Sequence, residues 1–496
     1  MKKSILLALL LCLLAGAAGA STLYRIRFGY YPDKIRTVFD FDGGFDYHAE
    51  ETREKITLYL RKTEASSGIQ NYVELNDLIV RYLEVQREGE DLKVTVPLSE
   101  PVKYNIFYLN DPPRLVIDFD REFLNIVSGG TIAEGVEFLK VRQGTEAGRV
   151  NASVLKVDLK KARVAPALAQ KHKPSIFESF IDLITPWRNP KEEKHFYLDK
   201  VSNIVSYNQG VAGINGTYFA STGKPLGALI IDREFVSFPI HERTAFFIDQ
   251  ENQPYIDNLF VSSYFRLPNG TRYQIAGINQ GRGGNDIVMY TPVWGESTET
   301  DRQGIELVVA DSRVTEINVN NSKIPENGFV ISATGPALET LAESVKAGDQ
   351  ITTTIRIVPY AYSPKQIVHL ISGGPRLLKQ GRVYVSKHEE KFRADIAQGR
   401  AARTAVGITK QGELLLVTVD GLARNNTSRK KDDKASIGMA LEELSDLMLS
   451  LGAVEAMNLD GGSSSTMAIE GRAVNDPAGG YERSVSNALV VKRRGP

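Results

Sequence analysis

The stretch Asn458-Leu459-Asp460-Gly461-Gly462-Ser463-Ser464-Ser465-Thr466 brings together more chemically active groups than any other part of the chain. It comes after an apolar run, so Asp460 is expected at the end of a buried strand. Glycines after the carboxylate let backbone N–H groups approach a ligand closely, and the serines offer hydroxyls for sugar or phosphate oxygens. An Asp-Gly-Gly sequence is also typical of a hairpin turn, so further evidence is needed to choose between a turn and a site.

A helix–turn–strand pattern leads into this stretch and occurs a second time in the chain. One copy runs from Leu441 to Asn458 and the other from Leu198 to Asn215, so the interval is the same. Each has apolar residues at helical spacing, then glycine, then a short apolar strand that ends in asparagine. The pattern is common in proteins and need not have a functional meaning; the alternative, functional interpretation is that both asparagines face one cleft.

Three other clusters contain groups of the same kind. Arg403 begins an apolar strand, and Asp420 comes after the very apolar run Leu414–Val419. Gly373 and Gly374 form a glycine-rich turn before a further strand. A guanidinium, a second carboxylate and exposed backbone amides are therefore candidates for the same cleft.

Composition sets the class of protein. The chain has 496 residues, of which 42% are hydrophobic, and it carries 60 basic and 60 acidic residues. This predicts a folded chain of roughly two to four domains. A net charge of zero argues against a nucleic acid partner. The single cysteine is Cys12, which lies in a segment expected to be removed, so disulfides, a thiolate nucleophile and a Cys-ligated zinc are excluded from the mature chain.

Residues 1–20 have the pattern of a secretory signal peptide. Lys2 and Lys3 precede the apolar run Ile5–Leu14, and Ala18-Gly19-Ala20 is a small-residue cleavage site. The alternative is a membrane anchor, but the run is shorter than the ~20 residues that span a bilayer. We therefore expect a secreted or periplasmic protein of the cell envelope, with no integral membrane segment after cleavage.

Residues 21–127 alternate apolar and polar positions and predict a small all-β, β-sandwich-like domain. Within it, Val102–Phe119 resembles the closing strands of the AMIN domain, a family of β-sandwiches that localise envelope proteins, often to peptidoglycan. A β-module without that function, or one that only stabilises the rest of the chain, is the alternative. After the linker Ser128-Gly129-Gly130, residues 128–496 mix helix and strand signals, so we expect an α+β catalytic domain.

Six motifs occur in order along the second part of the chain, namely Asn215–Phe219, Ser372–Leu377, Arg403–Gly407, Val419–Gly421, Ala456–Thr466 and Arg483–Ser486. Through these motifs, residues 198–492 resemble the phosphodiester glycosidase family, whose namesake is N-acetylglucosamine-1-phosphodiester alpha-N-acetylglucosaminidase. Two positions depart from the family pattern: Thr217 and Ser463 each replace a glycine and add a β-carbon beside the presumed ligand.

The resemblance implies an enzyme that hydrolyses a sugar-1-phosphodiester in a phosphorylated glycan. Glycosidic cleavage uses a carboxyl pair, for which Asp460 and Asp420 are the leading candidates and Glu482 a weaker one. A phosphate leaving group needs cationic support, which we assign to Arg403, then Arg483, then Arg243. The remaining residues expected to bind substrate are Asn215, Gly216, Gly373, Gly374, Thr404, Asn458, Gly461, Gly462 and Ser464.

The sequence predicts no cofactor. The six histidines form no pair with metal-site spacing, although a structural calcium held by Asp460 or Asp420 stays an alternative. A non-catalytic protein that binds or assembles envelope polysaccharide in the same cleft is the second functional hypothesis. The polar loop Arg424–Lys434 could cover that cleft, and the insertion 170–194 has no assigned role.

Overall fold

The computed structural model describes residues 21–75, 77–171, 195–422 and 435–495. The expected signal peptide, nearly all of the 170–194 insertion and the 424–434 loop lie outside these residues. Strands account for 51% of the structure and helices for 8%. The expectation of an α+β fold is therefore wrong, because the protein is mostly β. No helix in the described ranges is both long and apolar enough to cross a membrane.

The four helices of the described residues are short, and this is the reason for the error. They have 7, 9, 4 and 10 residues. The intervening sequence forms strands whose partners are distant in the chain, which local spacing does not reveal. The helices are α1 (Val201–Tyr207), α2 (Pro336–Ser344), α3 (Ala394–Ala397) and α4 (Leu441–Ser450).

The chain divides into two compact units, one comprising residues up to Asn125 together with Arg142–Arg149, and the other comprising the remainder. The first unit contains two five-stranded sheets, ordered β5-β1-β2-β10-β9 and β3-β4-β8-β7-β6, around an apolar core. Its strands are β1 (Ser21–Tyr30), β2 (Lys34–Phe41), β3 (Asp46–Glu51), β4 (Lys55–Arg61), β5 (Thr63–Ala65), β6 (Tyr72–Glu74), β7 (Tyr82–Glu88), β8 (Asp91–Pro97), β9 (Tyr104–Asn110) and β10 (Pro113–Asp120).

The remaining strands form four sheets. The strands from residue 123 to 266 are β11 (Phe123–Ala133), β12 (Val136–Thr145), β13 (Gly148–Val157), β14 (Ala162–Leu168), β15 (Ala212–Asn215), β16 (Leu229–Ile231), β17 (Glu234–Ser237), β18 (Thr244–Asp249) and β19 (Pro254–Arg266). Those from 272 to 383 are β20 (Arg272–Gln274), β21 (Gly277–Ile278), β22 (Ile287–Tyr290), β23 (Ile305–Ala310), β24 (Arg313–Asn318), β25 (Gly328–Ala333), β26 (Thr352–Pro359), β27 (Ile367–Ser372), β28 (Arg376–Lys379) and β29 (Arg382–Val383). The last are β30 (Arg403–Thr409), β31 (Leu414–Val419), β32 (Ala453–Asn458), β33 (Met467–Ile469), β34 (Arg472–Ala473) and β35 (Asn487–Arg493).

The sheet orders determine which strand ends meet. An eight-stranded sheet runs β11-β12-β13-β31-β30-β32-β28-β29, and a five-stranded sheet runs β14-β35-β15-β33-β34. A seven-stranded sheet has the path β17-β16-β27-β18-β19-β20, with β26 paired to β19, and the last sheet runs β21-β22-β25-β23-β24. In the eight-stranded sheet, β30 pairs antiparallel with both β31 and β32. The carboxyl ends of β31 and β32 therefore lie at the same sheet edge as the start of β30.

Both predicted helix–turn–strand units are confirmed as local structure, except that Leu198 lies before the first helix, which begins at Val201. Helix α1 precedes β15, which ends at Asn215, and α4 precedes β32, which ends at Asn458. Helix α4 packs on β28 and β32 through buried leucines and Met448. A β-carbon at Gly407 would lie 2.5 Å from the Met448 methyl, so this glycine lets the helix approach the sheet closely.

Candidate functional site

Asn215 fixes three chain segments at the end of β15. Its side chain is 1% exposed. Its Nδ2 donates to the Asp460 carbonyl oxygen at 2.6 Å, and its Oδ1 accepts from the Thr404 hydroxyl at 2.8 Å and from the Thr466 N–H at 3.1 Å. Because both ends of the amide are used inside the protein, Asn215 positions the backbone at Asp460.

Asn458 holds the segment that precedes Asp460, through the Nδ2 end of its amide alone among the described residues. Its Nδ2 lies 2.6 Å from the Leu459 carbonyl, 2.9 Å from the Tyr218 hydroxyl and 3.2 Å from the Gly374 carbonyl. The Tyr218 hydroxyl in turn donates to the Gly374 carbonyl at 2.9 Å. The two asparagines thus hold the segments that flank Asp460, and the Gly373-Gly374 turn is joined to the same site.

Asp460 lies two residues after the end of β32 and is half-buried. Burial raises the pKa of its carboxyl to about 6, although a hydrogen bond from Ser464 and the charge of Arg483 act in the opposite direction. The Ser464 side chain is fully buried, and its Oγ accepts from Arg483 Nη1 at 3.1 Å. Ser464 therefore links the carboxylate to a guanidinium, as a donor to one and an acceptor from the other.

Asp420 lies after β31 and is more enclosed, with 9% of the residue exposed. Burial is the main cause that raises its pKa to about 7. Its Oδ1 accepts from Asn475 Nδ2 at 3.1 Å and from the Asp476 N–H at 3.0 Å. Asn475 also donates to the Ser465 carbonyl at 3.2 Å, so it connects Asp420 to the segment that carries Asp460.

The two carboxylates come after strands that are separated by one strand, β30. Adjacent strands lie about 4.8 Å apart, so the strand ends before Asp420 and Asp460 are about 10 Å apart at the backbone. Both side chains therefore start at one edge of the sheet, on either side of Arg403.

Arg403 lies at this end of the sheet, but its guanidinium donates hydrogen bonds to backbone carbonyls inside the protein. The residue is 3% exposed. Its Nε donates to the Met439 carbonyl at 3.0 Å, Nη1 to the Ile396 carbonyl at 3.0 Å and Nη2 to the Gly399 carbonyl at 2.9 Å. All three nitrogens are engaged with the backbone, so the structure uses Arg403 to hold the segment around α3 beside the site.

Arg483 has a different environment. It is exposed, it donates from Nη1 to the hydroxyls of Ser463 and Ser464 at 3.2 and 3.1 Å, and its Cζ lies 5.2 Å from the centre of the Phe219 ring. Ser463 thus supports Arg483, although the family pattern has glycine there. Within the described ranges, no carboxylate forms an ion pair with this guanidinium.

Glu482, the weaker candidate for the second carboxylate, caps a helix instead. Its Oε1 accepts from the Ser202 N–H and its Oε2 from the Ser202 hydroxyl, both at 2.7 Å. Both acceptors are thereby used at the first turn of α1, where N–H groups have no partner within the helix.

Sequence reasoning did not single out several residues of the site. Tyr218 lies inside the motif Asn215–Phe219, so its aromatic side chain was a usable signal. Asn487 accepts from the Thr217 N–H at 2.9 Å, and a β-carbon at Gly216 would lie 2.0 Å from its Oδ1, so Gly216 has to be glycine. Glu390, which contacts the segment around Arg243, had no sequence signal because it lies in a polar, irregular segment.

The other predicted positions complete the same edge. Gly461 and Gly462 come after Asp460 next to the start of β30, where the Gly462 N–H donates to the Ala402 carbonyl at 2.7 Å. The Thr404 hydroxyl also lies 3.2 Å from Ser465 Oγ. No group of three or more His, Cys, Asp or Glu side chains in the described part of the chain could hold a metal ion.

Comparison with known proteins supports one family for this region. Residues 303–492 match the phosphodiester glycosidase family, a range that includes Asp420 and Asp460 but not Asn215. Segments of the chain are 34% identical over 89 residues to an uncharacterised SPbeta prophage-derived protein of Bacillus subtilis and 30% identical over 120 residues to the N-acetylglucosamine-1-phosphodiester alpha-N-acetylglucosaminidase of Bos taurus. These segments cover 18% and 22% of this chain, but only 12% and 21% of the two relatives.

Two solved structures share the fold. A hypothetical protein from Synechocystis superposes with a TM-score of 0.60 at 22% identity, over 96% of this chain and 81% of its own. A putative exported protein from Burkholderia pseudomallei superposes with a TM-score of 0.54 at 16% identity, over 90% of this chain and 96% of its own. At these identities the likeness concerns the fold alone.

Proposed function

We propose that this chain hydrolyses a sugar-1-phosphodiester and that Asp460 is its catalytic carboxylate. The observation that carries the proposal is the environment of Asp460, a half-buried carboxyl that burial brings to a pKa of about 6 and that Ser464 connects to Arg483. Perturbed carboxyls held beside an unpaired cation are typical of active sites. The match of residues 303–492 to the phosphodiester glycosidase family supports the reaction class.

In the proposed reaction, the bond between the anomeric carbon and the phosphate oxygen breaks and water supplies the new hydroxyl. The products are the free sugar and a phosphate monoester of the aglycone. Asp460 acts in its ionised form, either as the nucleophile or as the base that takes a proton from water. Asp420, with a pKa of about 7, is our proposal for the group that gives a proton to the leaving oxygen.

We assign the leaving phosphate to Arg483 in place of Arg403. Bidentate binding of a phosphate needs two N–H groups of one guanidinium that point the same way. All three nitrogens of Arg403 donate to backbone carbonyls, whereas Arg483 is exposed and close to Asp460 through Ser464. Arg403 then acts as a positioning residue at the start of β30.

The test is hydrolysis of the methyl phosphodiester of N-acetylglucosamine 1-phosphate and of matching esters of other sugars. The purified chain should release the free sugar, and D460N should abolish the release. D446N is the matched control, because Asp446 is an exposed carboxylate on α4. If the wild-type chain hydrolyses none of these esters but binds glycans, the second hypothesis, a non-catalytic polysaccharide-binding protein, replaces this one.

We further propose that the chain is exported and that its substrate is an envelope or extracellular glycan. The signal-peptide pattern of residues 1–20 supports export, and the AMIN-like stretch Val102–Phe119 supports contact with the cell wall. N-terminal sequencing of the protein recovered outside the cytoplasm should begin at Ser21. Sedimentation of the full chain with purified cell walls tests the contact, and failure to sediment would remove that part of the proposal.

A further inference from the structure

Arg243 places a half-buried guanidinium near the proposed site. Its Cζ lies 4.1 Å from the centre of the Phe392 ring, a distance at which the guanidinium stacks on the aromatic face. Its Nε donates to the Glu390 carbonyl oxygen at 3.3 Å. These two contacts fix the plane of the guanidinium, while its two terminal amino groups have no hydrogen-bond acceptor among the described residues.

The carboxylate of Glu390 forms no ion pair with Arg243, because both of its oxygens accept hydrogen bonds from other donors, although its charge acts to raise the pKa of Arg243. Glu390 is 4% exposed. Its Oε2 accepts from the Thr244 N–H at 2.9 Å, and its Oε1 accepts from the Thr244 hydroxyl at 2.6 Å and from the Arg376 N–H at 3.0 Å. The Ser386 hydroxyl is a further donor to Oε1. Arg243 therefore donates a hydrogen bond to the backbone of Glu390 and interacts with its carboxylate only at longer range.

Two buried arginines, Arg376 and Arg403, show what a fully engaged guanidinium looks like in this protein. Arg376 pairs with Asp257 and Glu455 at 3.3 and 2.6 Å, and Arg403 donates to three backbone carbonyls. Arg243 has neither arrangement. A half-buried cation loses part of its hydration, and burial accordingly lowers its pKa, so the site favours an anion that restores the lost interaction.

A chain of side-chain contacts connects Arg243 to the end of the sheet near Asp460. The Phe392 ring that supports Arg243 lies 5.9 Å from the Tyr218 ring, and the Tyr218 hydroxyl contacts Gly374 and Asn458. A β-carbon at Gly374, whose φ is 99°, would lie 3.0 Å from the Phe392 ring and 2.4 Å from Glu390 Oε2. Only glycine fits there, so the packing between the segment around Arg243 and Asn458 leaves no room for a larger residue. Asn458 lies two residues before Asp460.

We infer that Arg243 binds a second oxyanion of the substrate, separate from the scissile phosphodiester that Arg483 would hold. The inference rests on the proposed function and names its substrate class: a glycan that carries a further phosphate or carboxylate beside the sugar-1-phosphodiester. The contacts that lead from Arg243 towards Asp460 run through Phe392, Tyr218 and Asn458, so the second anion would lie at the Arg243 end of this chain of contacts. The substrate is thereby polyanionic.

A matched series of substrates tests this. The sugar-1-phosphodiester is held constant, and its aglycone is 2-hydroxyethyl, 2-phosphoethyl or 2-carboxyethyl. For the wild-type chain, KM should be about tenfold or more lower with the charged aglycones than with hydroxyethyl, with kcat little changed, because a charge-assisted hydrogen bond is gained. Comparison of the phosphoethyl with the carboxyethyl substrate shows whether the site prefers a phosphate or a carboxylate.

The variants are R243Q, R243K and R302Q, the last being the control because Arg302 is exposed and makes the same change of charge. R243Q should bring the KM ratio between hydroxyethyl and phosphoethyl close to one, R243K should restore part of it, and R302Q should keep the wild-type ratio. Thermal unfolding of each variant shows whether it is folded. A wild-type ratio near one, or a ratio in R243Q equal to that of the wild type, would overturn the inference.

Failure of the proposed function gives a different result. If the wild-type chain hydrolyses no compound of the series, the dissociation constants of the hydroxyethyl and phosphoethyl compounds are measured by calorimetry with the wild type and R243Q. Tighter binding of the phosphoethyl compound that R243Q abolishes would support the second-anion site without catalysis. Equal or undetectable binding of both compounds would contradict it.

Discussion

The ends of β31 and β32 are alike in position, but the residues after each strand give the two ends different surroundings. Both strands are buried, both pair with β30, and each leads within two residues to an aspartate whose pKa is raised by burial. After β31, the Asp420 carboxylate is bound by Asn475 and the Asp476 amide. After β32, Asp460 is succeeded by two glycines and by serines that contact an exposed arginine.

The difference shows that two carboxyls at the same end of a sheet can have different accessibility to a substrate. Strand pairing brings both carboxyls to one edge, but the groups around each carboxyl decide how accessible it is. Asp420 is held by protein donors and is nearly enclosed, whereas Asp460 is half-buried beside an exposed cation. We therefore expect changes at these two residues to differ in size and in pH dependence.

The largest expected effect is on turnover. D460N should lower kcat/KM for a sugar-1-phosphodiester by about 10³-fold or more, whereas D420N should lower it by about 10- to 100-fold, because a phosphate leaving group needs less protonation. Initial rates of sugar release measure both. Equal losses in the two variants, with D446N at the wild-type rate, would contradict the division between the two carboxyls.

The same two substitutions should raise the free energy of unfolding at high pH, although they lower turnover. Both folded-state pKa values lie above the ordinary value of 3.8, so the folded chain retains protons that the unfolded chain releases as pH rises. The contribution of each protonated carboxyl to stability is present below pH 4 and is lost as pH rises through about 6 for Asp460 and about 7 for Asp420. D420N should therefore unfold with a free energy up to about 4 kcal/mol higher than the wild type at pH 8.

Urea unfolding at pH 4 and pH 8 measures this difference. At pH 4 the wild type and D420N should be nearly equal, and the gain in D460N at pH 8 should be smaller than that in D420N. A gain of the same size at both pH values would show that burial of the charge is not the cause.

The pH profile of kcat/KM separates the roles of the two carboxyls. If Asp460 acts ionised and Asp420 acts protonated, activity should rise tenfold per pH unit below about 6 and fall above about 7. D420N should remove the decrease on the alkaline side and keep the acid limb. Persistence of the alkaline limb in D420N would assign it to another group.

The smallest effect is expected at the serine that links Asp460 to Arg483. S464A removes one hydrogen bond to the carboxylate, and we expect about a tenfold loss in kcat/KM and an acid limb shifted to higher pH, because that bond lowers the pKa of Asp460. S463A is the comparison, since Ser463 contacts Arg483 but is exposed. An unshifted acid limb in S464A would show that the link has no role.

Local patterns in the sequence predict the parts of the site that depend on neighbouring residues. Helical spacing predicts α1 and α4, and the strands after them deliver Asn215 and Asn458 to the segments around Asp460. The mostly β architecture could not be read in this way, because β13 pairs with β31 and β14 pairs with β35 across most of the chain. Long-range pairing leaves no local period that distinguishes it from helix and strand in alternation.

The same limit applies to single side chains. Arg403 begins a motif, which made it the first choice for a phosphate contact, but its acceptors are carbonyls of Ile396, Gly399 and Met439, which carry no side-chain signal. Arg243 has no partner of this kind for its terminal amino groups among the described residues, and that difference depends on where Glu390 directs its two oxygens. Sequence identifies which arginines are near the site, and tertiary contacts decide which of them are available.

The position of β35 has a consequence for the order in which the protein is built. This strand lies between β14 and β15, and Ala162 pairs with Arg493. During synthesis β14 and β15 emerge long before the strand that joins them, so the sheet that carries Asn215 cannot close until Asn487–Arg493 have left the ribosome. Asn487, which holds the Thr217 amide, arrives with that strand. This sheet and the candidate site that it supports are therefore completed together, only after β35 has been synthesised.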